Sequence, residues 1–404
     1  MSRALLIPTP DGSGQMAHPD VVHVPGGFAG FPYLMACTPY PFGADRFENP
    51  CLRVSHDGVR WQPLPGAPDP VVPAPTDPSR HWSDTDLSLV DGVLHLVFRG
   101  CARGAPDAQL LVTKSRDGIE WTEPTVFHEG HRIVSPALVH HEGRWSMWHV
   151  EADSNPGDQG SRLVRTQGPD LASLREPTTC PIDIPGHRLW HVDVVATDLG
   201  WEALCAAYPE RANASRCALF HAVSADGLSF RLSQRRPVLR PRAGKWSSRV
   251  IYRATMVKSS SGYRVWYSGG SWAKRWGVGL AEGPIGGLRP VPDVPGGPRG
   301  DTLLEGLGRH GHHERRGLVA VVGEGVVHDD CGLTLVVLRR TGTVDRDGEV
   351  TVSGCRSLRR GRGRCSGGRR GRAVRRSGGR CRCGARSCRT PSQDETCRDE
   401  GGCD

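Results

Sequence analysis

Four aspartates, two histidines and an arginine recur at matched places in five short segments of this chain. Aligned on their apolar pairs, the segments read His18-Pro-Asp20-Val-Val, Asp84-Thr-Asp86-Leu-Ser, Ser135-Pro-Ala137-Leu-Val, His191-Val-Asp193-Val-Val and Arg253-Ala-Thr255-Met-Val. One column is His18, Asp84, Ser135, His191 and Arg253; the column two residues on is Asp20, Asp86, Ala137, Asp193 and Thr255. If each segment is a strand, residues two apart face the same way. Like charges crowded into a partly desolvated place raise one another's pKa, which is the condition carboxylate acid–base chemistry needs. Two structural readings stand beside that one. Aspartates can cap strand starts through backbone N–H groups, and carboxylates at an axis suit a structural calcium ion.

The elements that would hold such columns in register repeat as well. Ser55-His-Asp57-Gly58-Val-Arg-Trp61, Ser115-Arg-Asp117-Gly118-Ile-Glu-Trp121 and Ser224-Ala-Asp226-Gly227-Leu-Ser-Phe230 share one pattern, with a degenerate copy expected near Thr166-Gln-Gly-Pro-Asp170. Asp-Gly supplies the positive-φ residue of a tight turn, Ser and Asp bond the turn's N–H groups, and the aromatic packs the returning strand. Pairs of strand-like segments fall at 18–24 with 31–37, 84–90 with 93–99, 135–141 with 144–150, 191–197 with 201–208, and 253–258 with 263–268. Helical periodicity is almost absent between them. Five such units over residues 1–290 predict an all-β fold, a five-bladed β-propeller whose first strands line the axis. Blade five is short of a fourth strand, so Ala4–Ile7 is expected to close the ring.

Composition divides the chain. All 25 aromatic residues lie at or before Trp276, and eight of the 14 cysteines lie after residue 330. Residues 355–404 hold 15 arginines and five acidic groups, so the formal charge of +9 belongs to this stretch and the remainder is close to neutral. A nucleic-acid partner is therefore expected only through the tail. Residues 291–404 read as an Arg/Gly/Cys-rich, low-complexity segment, disordered or read out of frame. Cys381 with Cys383 and His310 with His312 and His313 lack the paired spacing of a zinc site.

The layout, the S-x-D-G turns and the motifs His18-Pro-Asp20, Glu48-Asn49-Pro50, Ser83-Asp84-Thr-Asp86, Ser135-Pro136 and Trp190-His191-Val-Asp193 resemble the five-bladed β-propeller glycosidases of the arabinanase/xylosidase (family 43) and invertase (family 32) superfamily. The resemblance covers about residues 15–285. It implies that Asp20 matches the base or nucleophile of blade one and that Asp193 stands where blade four usually carries a glutamate acid. Ser135 and Ala137 stand where blade three usually carries a second aspartate, which leaves Asp86 as the nearest substitute.

Glycoside hydrolysis needs one carboxylic acid to protonate the leaving oxygen and one carboxylate to activate water or attack carbon. The expected roles are Asp20 as base, Asp193 as acid with His191 nearby, and Asp86 with Asp84 as pKa modulators or sugar hydroxyl ligands. Arg253 would hold a sugar hydroxyl or carboxylate by paired bonds. His18, Ser135 and Glu48 complete the substrate contacts, with Glu48 and Glu151 as alternative acids. Trp82, Trp190 and Trp246 are the sugar-stacking candidates, of which Trp190 stands beside the axial column. Two alternatives use the same pocket: a glycan-binding propeller without catalysis, and a phosphorolytic glycosidase holding phosphate on Arg253, His18 and His191.

The chain has no G-x-x-x-x-G-K-[ST], no H-E-x-x-H and no G-x-S-x-G motif. No catalytic metal or nucleotide cofactor is expected, with structural calcium the one ion considered. The start of the chain lacks an apolar signal region and no 18-residue apolar run occurs, so a cytoplasmic protein with a carbohydrate ligand and no membrane partner is the expectation.

Overall fold

The serine–aspartate–glycine repeats become the turns that join third to fourth strands. Ser55, Ser115 and Ser224 accept the glycine N–H at 2.8, 2.8 and 2.9 Å. Asp57, Asp117 and Asp226 accept the next two N–H groups. Gly58, Gly118 and Gly227 sit at φ of 70, 76 and 69°, where glycine alone pays no steric penalty. The turns also lock blades together, because Trp266 and Trp148 of neighbouring blades donate Nε1–H to the Gly58 and Gly227 carbonyls. At the degenerate copy a short 3-10 turn, Leu171–Ser173, capped by Asp170, takes the place of the repeat.

The computed structural model describes residues 4–152, 161–210 and 215–291, with three further strands beyond them. Residues 4–291 fold as five four-stranded antiparallel sheets, each in sequence order. Blade one is β1 (Met16–Phe28), β2 (Phe31–Pro39), β3 (Cys51–Ser55) and β4 (Gln62–Pro63). Blade two is β5 (Arg80–Val90), β6 (Val93–Ala102), β7 (Asp107–Ser115) and β8 (Thr125–His131). Blade three is β9 (Ile133–His141), β10 (Arg144–Glu151), β11 (Arg162–Gly168) and β12 (Arg175–Cys180). Blade four is β13 (His187–Thr197), β14 (Gly200–Pro209), β15 (Ala218–Ser224) and β16 (Arg231–Leu232). Blade five is β17 (Val250–Ser259), β18 (Gly262–Gly270), β19 (Trp276–Gly283) and β20 (Arg289–Pro290). The five strand pairs read from the sequence are the first two strands of each blade.

Alternating apolar residues on both faces of each blade give five hydrophobic clusters, one between each neighbouring pair. Each fully buried Leu, Val or Met there contributes roughly 1.5–3 kcal/mol, so the blades hold one another. The cluster of Met16, Val21, Met35, Trp266 and Leu280 joins blade five to blade one. Blade five has its own fourth strand, and the N-terminal segment adds to it: Leu5 N–H donates to the Val278 carbonyl at 2.7 Å and Ile7 is buried in the closing cluster. The six cysteines of residues 4–291 are free thiols.

Beyond Val291 the described elements are β21 (Val319–Val322), β22 (Leu338–Val344) and β23 (Val350–Ser357), an antiparallel sheet in a second unit, Glu305–Asp404. The rest of the Arg/Gly/Cys-rich stretch lies outside the described residues. No helix of the described residues is long and apolar enough to cross a membrane.

Candidate active site

The first strands do not run straight past the axis. Register shifts fall between Ala17 and Asp20, Ser83 and Asp86, Leu189 and His191, and Ile251 and Ala254. His18, Asp84 and Ser135 have φ of 51, 43 and 57°, a region such side chains rarely enter and the surrounding sheet must impose. Bulges of this kind re-aim single side chains. They turn the two columns into two tiers around the axis.

The lower tier ties each blade to the next. Asp20 Oδ2 accepts the Leu87 N–H at 2.6 Å, Asp86 Oδ2 that of Leu138 at 3.3 Å, and Asp193 Oδ2 that of Met256 at 3.3 Å. Thr255 Oγ1 accepts the Val21 N–H at 3.4 Å, which links blade five back to blade one. Blade three has Ala137 in this tier, and its bond to blade four comes from Ser135, whose Oγ donates to the Val192 carbonyl at 2.8 Å and accepts its N–H at 2.9 Å. The ring of inter-blade bonds is thus complete. The three carboxylates approach so that one oxygen of each lies within 4.8 Å of the others. Burial raises Asp20; burial and then Asp20 raise Asp86 well above the carboxylate range and Asp193 to about 7. Arg253, fully buried, reaches across from blade five and donates to Ser135 Oγ at 3.0 Å, the Pro136 carbonyl at 2.7 Å and Asp86 Oδ1 at 3.4 Å. Those contacts hold Arg253 inside the propeller, away from the mouth.

The upper tier brings together His18, Asp84, His191 and the loop residue Glu48. Asp84 Oδ2 accepts the Ser135 N–H at 3.1 Å and is ion-paired with Arg99, whose Nε lies 2.9 Å away outside hydrogen-bond geometry. Its other oxygen, Oδ1, lies 3.2 Å from His18 Nε2 and 3.7 Å from His191 Nδ1. His18 Nδ1 is 2.9 Å from Thr38 Oγ1 and 3.7 Å from Glu48 Oε2. Burial lowers the His18 pKa to about 4 and the His191 pKa well below its ordinary value, so both rings are neutral at pH 7. Burial opposes the Asp84 charge, yet Arg99, His18, His191 and Arg253 hold that carboxyl below the usual carboxylate range. Glu48 moves the other way: burial raises it well above the ordinary value, against a bond from Ser83 and with Asp84 adding to the shift.

His18 Nε2, Asp84 Oδ1, Glu48 Oε2 and both ring nitrogens of His191 are buried and carry no hydrogen bond. Buried polar atoms in that condition call for an account. His18 Nδ1 is bonded to Thr38, and Nε2 faces a carboxylate oxygen at 3.2 Å outside hydrogen-bond geometry, an arrangement that a cation between them relieves. Asp84 Oδ1 stands 3.2 and 3.7 Å from the two imidazoles, against roughly 3–3.5 Å between ligand atoms about 2.1 Å from one cation; among the described residues, the three acidic or imidazole side chains whose ligand atoms all lie within 4.8 Å of one another are Asp20, Asp86 and Asp193. Two imidazoles and a carboxylate form a donor set suited to zinc or a neighbouring transition ion.

Aromatic rings wall the upper tier. Tyr252 packs against His191 at 4.1 Å between centroids, Trp190 at 4.8 Å and Trp276 at 5.2 Å, and Tyr40 stands 5.0 Å from Trp276. Trp82 and Trp246 lie elsewhere, packed on Phe98 and on Tyr267. Glu151 is paired with Arg162 at the end of β10.

Comparison with known structures fits this architecture. A crystal structure of an N-acetylgalactosamine deacetylase from F. plautii in complex with blood group B trisaccharide superposes with a TM-score of 0.62 at 20% identity, covering 69% of this chain and 94% of that one. A xylan beta-1,4-xylosidase from Bacillus halodurans C-125 gives a TM-score of 0.53 at 14% identity, covering 85% and 69%. The fold is that of the five-bladed propeller glycosidases. In sequence, the chain is 25% identical to a Flavonifractor plautii protein described as A type blood N-acetyl-alpha-D-galactosamine deacetylase, over 63% of this chain and 40% of that protein's length. No protein-family model matches.

The structure gathers His18, Asp84, His191, Glu48 and Trp190 in the upper tier, and Asp20, Asp86, Asp193, Ser135 and Arg253 in the ring beneath. Arg99, Tyr40, Tyr252 and Trp276 belong to the site and were not anticipated. Tyr252 and Trp190 each stand one residue before the His18 column, so a large aromatic at that place was the available signal. Arg99 lies within β6 and Tyr40 just past β2, and nothing local marks them.

Proposed function

We propose that this protein is a divalent-metal-dependent hydrolase that removes the N-acyl group of an amino sugar seated over the propeller axis. The observation that carries the reading is the approach of His18 Nε2 and His191 Nδ1 to Asp84 Oδ1 at 3.2 and 3.7 Å, all three atoms buried and without hydrogen bonds, beside a wall of aromatic rings. His18, Asp84 and His191 would hold the ion. A divalent cation there supplies polarisation of an acyl carbonyl and acidification of water. Arg99 and the Ser135 N–H fix one oxygen of Asp84 and so aim the other, the supporting role such outer contacts play at metal sites. Glu48, with Oε2 unbonded, is placed to take a proton from water and return it to the departing amine. Trp190, Tyr252 and Trp276 form the wall on which a sugar face would lie. The relation to a carbohydrate deacetylase supports this reading over a glycosidase.

On this reading Asp20, Asp86, Asp193, Arg253 and Ser135 position the upper tier through inter-blade bonds instead of touching the sugar. The reading also departs from the expectation of a metal-free site. Two-carboxylate glycoside hydrolysis is the second reading, favoured by Asp193 keeping a proton to about pH 7 beside Asp20. Its weakness is that one oxygen of each of Asp20, Asp86 and Asp193 is already engaged by a backbone N–H of the next blade.

The deciding experiment incubates the protein and a zinc- or manganese-supplemented sample with N-acetylhexosamine-containing oligosaccharides, measuring free acetate and new reducing ends separately. Acetate release lost in Asp84→Asn and His191→Ala is the expected result. Reducing ends without acetate, lost in Asp20→Asn or Asp193→Asn, would overturn the proposal in favour of the glycosidase. Binding with neither product would leave a glycan-recognising propeller.

A further inference from the structure

A second cavity of about 330 Å³ opens beside the upper tier, between blades one and two, and Arg99 lines it as well as holding Asp84. Arg46, Arg80 and Arg103 line it too, against the two carboxylates Asp45 and Asp107. Asp45 accepts the Tyr40 hydroxyl at 3.2 Å and Asp107 lies 2.9 Å from His131 Nδ1, contacts that occupy one oxygen of each carboxylate. The cations are differently placed. Among the described residues none of Arg46, Arg80 and Arg103 lies in an ion pair: Arg80 donates to the neutral Gln109 amide at 2.6 Å and Arg46 lies over the Phe47 ring at 4.5 Å. Planar guanidinium groups present paired donors that match carboxylate and sulfate oxygens. Four arginines against two aspartates leave the lining with a formal charge of +2, in a part of the chain that is otherwise close to neutral, and of the four Arg99 is the one paired with a further carboxylate, Asp84.

We infer that the cavity is an anion subsite, and that the glycan acted on carries a carboxylate or sulfate on the sugar next to the N-acylated residue. The inference rests on the acyl-sugar reading of the axis only for what stands beside the anion. Arg99 joins the two places, since the guanidinium that anchors Asp84 also forms the inner wall of the cavity. An acidic neighbour bound there would fix the register in which the N-acyl sugar meets the upper tier.

The test is calorimetric titration with a hyaluronan tetrasaccharide, in which N-acetylhexosamine alternates with a uronate, and with its carboxyl methyl ester. Competition by free glucuronate and by inorganic sulfate separates the two anion chemistries. The acid should bind at least about tenfold tighter than the ester, with the preference falling as salt rises. Arg46→Gln with Arg103→Gln, both at the surface and clear of the metal ligands, should erase the preference. Equal binding of acid and ester, binding of neither, or a preference that survives the double substitution would overturn the subsite. Acetate release measured on the same samples separates the two claims. Acid preference without acetate release supports the subsite and sinks the deacylation reading; acetate release without acid preference does the reverse.

Discussion

Replacing Asp84 by asparagine keeps shape and removes one charge, and its consequences can be worked through. Asp84 is fully buried and the Arg99 side chain beside it is 20% exposed, so the substitution leaves a mostly buried guanidinium without its counter-charge. Breaking one side of a buried pair costs about 3–5 kcal/mol, and the partial exposure of Arg99 puts the value near the lower end. At about 2–4 °C per kcal/mol for a domain of this size, the metal-free variant should melt roughly 6–12 °C below wild type. The response to metal is the sharper readout. A cation at about 100 times its Kd stabilises the folded state by about 2.7 kcal/mol, a rise of roughly 5–10 °C for wild type. If losing a charged ligand weakens binding about 100-fold, the same concentration gives RT ln 2, about 0.4 kcal/mol, and a shift near 1 °C. Thermal melts with and without zinc or manganese, beside Asp20→Asn as a lower-tier control, measure both effects. A metal response unchanged in Asp84→Asn would refute the upper-tier site, and a response lost only in Asp20→Asn would put the ion among the three aspartates.

Arg253→Met should lower stability by about 3 kcal/mol, because Asp86, Ser135 and the Pro136 carbonyl lose a fully buried donor; a melt within a degree of wild type would argue against the inter-blade role. Gly58→Ala places a Cβ 2.7 Å from Arg264 Nη1 and 2.8 Å from Trp266 Cζ2 at a φ of +70°, and should destabilise by about 1–3 kcal/mol by denaturant titration. Tyr252→Phe and Trp190→Ala act on the mouth: the expected effect is a rise in KM for Trp190→Ala at nearly constant metal content, read by steady-state kinetics with metal analysis. Asp226 has its pKa lowered from 3.8 to about 2 by the Ser229 and Leu228 N–H groups and by Ser224. A carboxyl lowered on folding adds stability above its unfolded pKa and loses it as pH falls from about 3.8 through 2, so acid melts of Asp226→Asn should be flatter over that window than those of wild type.

The sequence alone determined the architecture, because each blade is built from short-range signals. Ser-x-Asp-Gly turns, alternating apolar residues and Gly/Pro punctuation are local, and five repetitions leave a propeller as the way to bury every sheet's two faces. The two axial columns were legible for the same reason, and so was the presence of Glu48 near them. What the columns do was decided by tertiary structure. Bulges at His18, Asp84 and Ser135 separate them into tiers, and a left-handed backbone forced on a residue other than glycine leaves no mark in residue type. Only in three dimensions does each lower-tier aspartate meet an N–H of the next blade, while Asp84 is turned by Arg99 so that one oxygen faces two neutral histidines. Charge counted along a chain cannot tell a carboxylate already satisfied by backbone from one with an oxygen left unbonded, because that depends on which atoms burial brings within 3 or 4 Å.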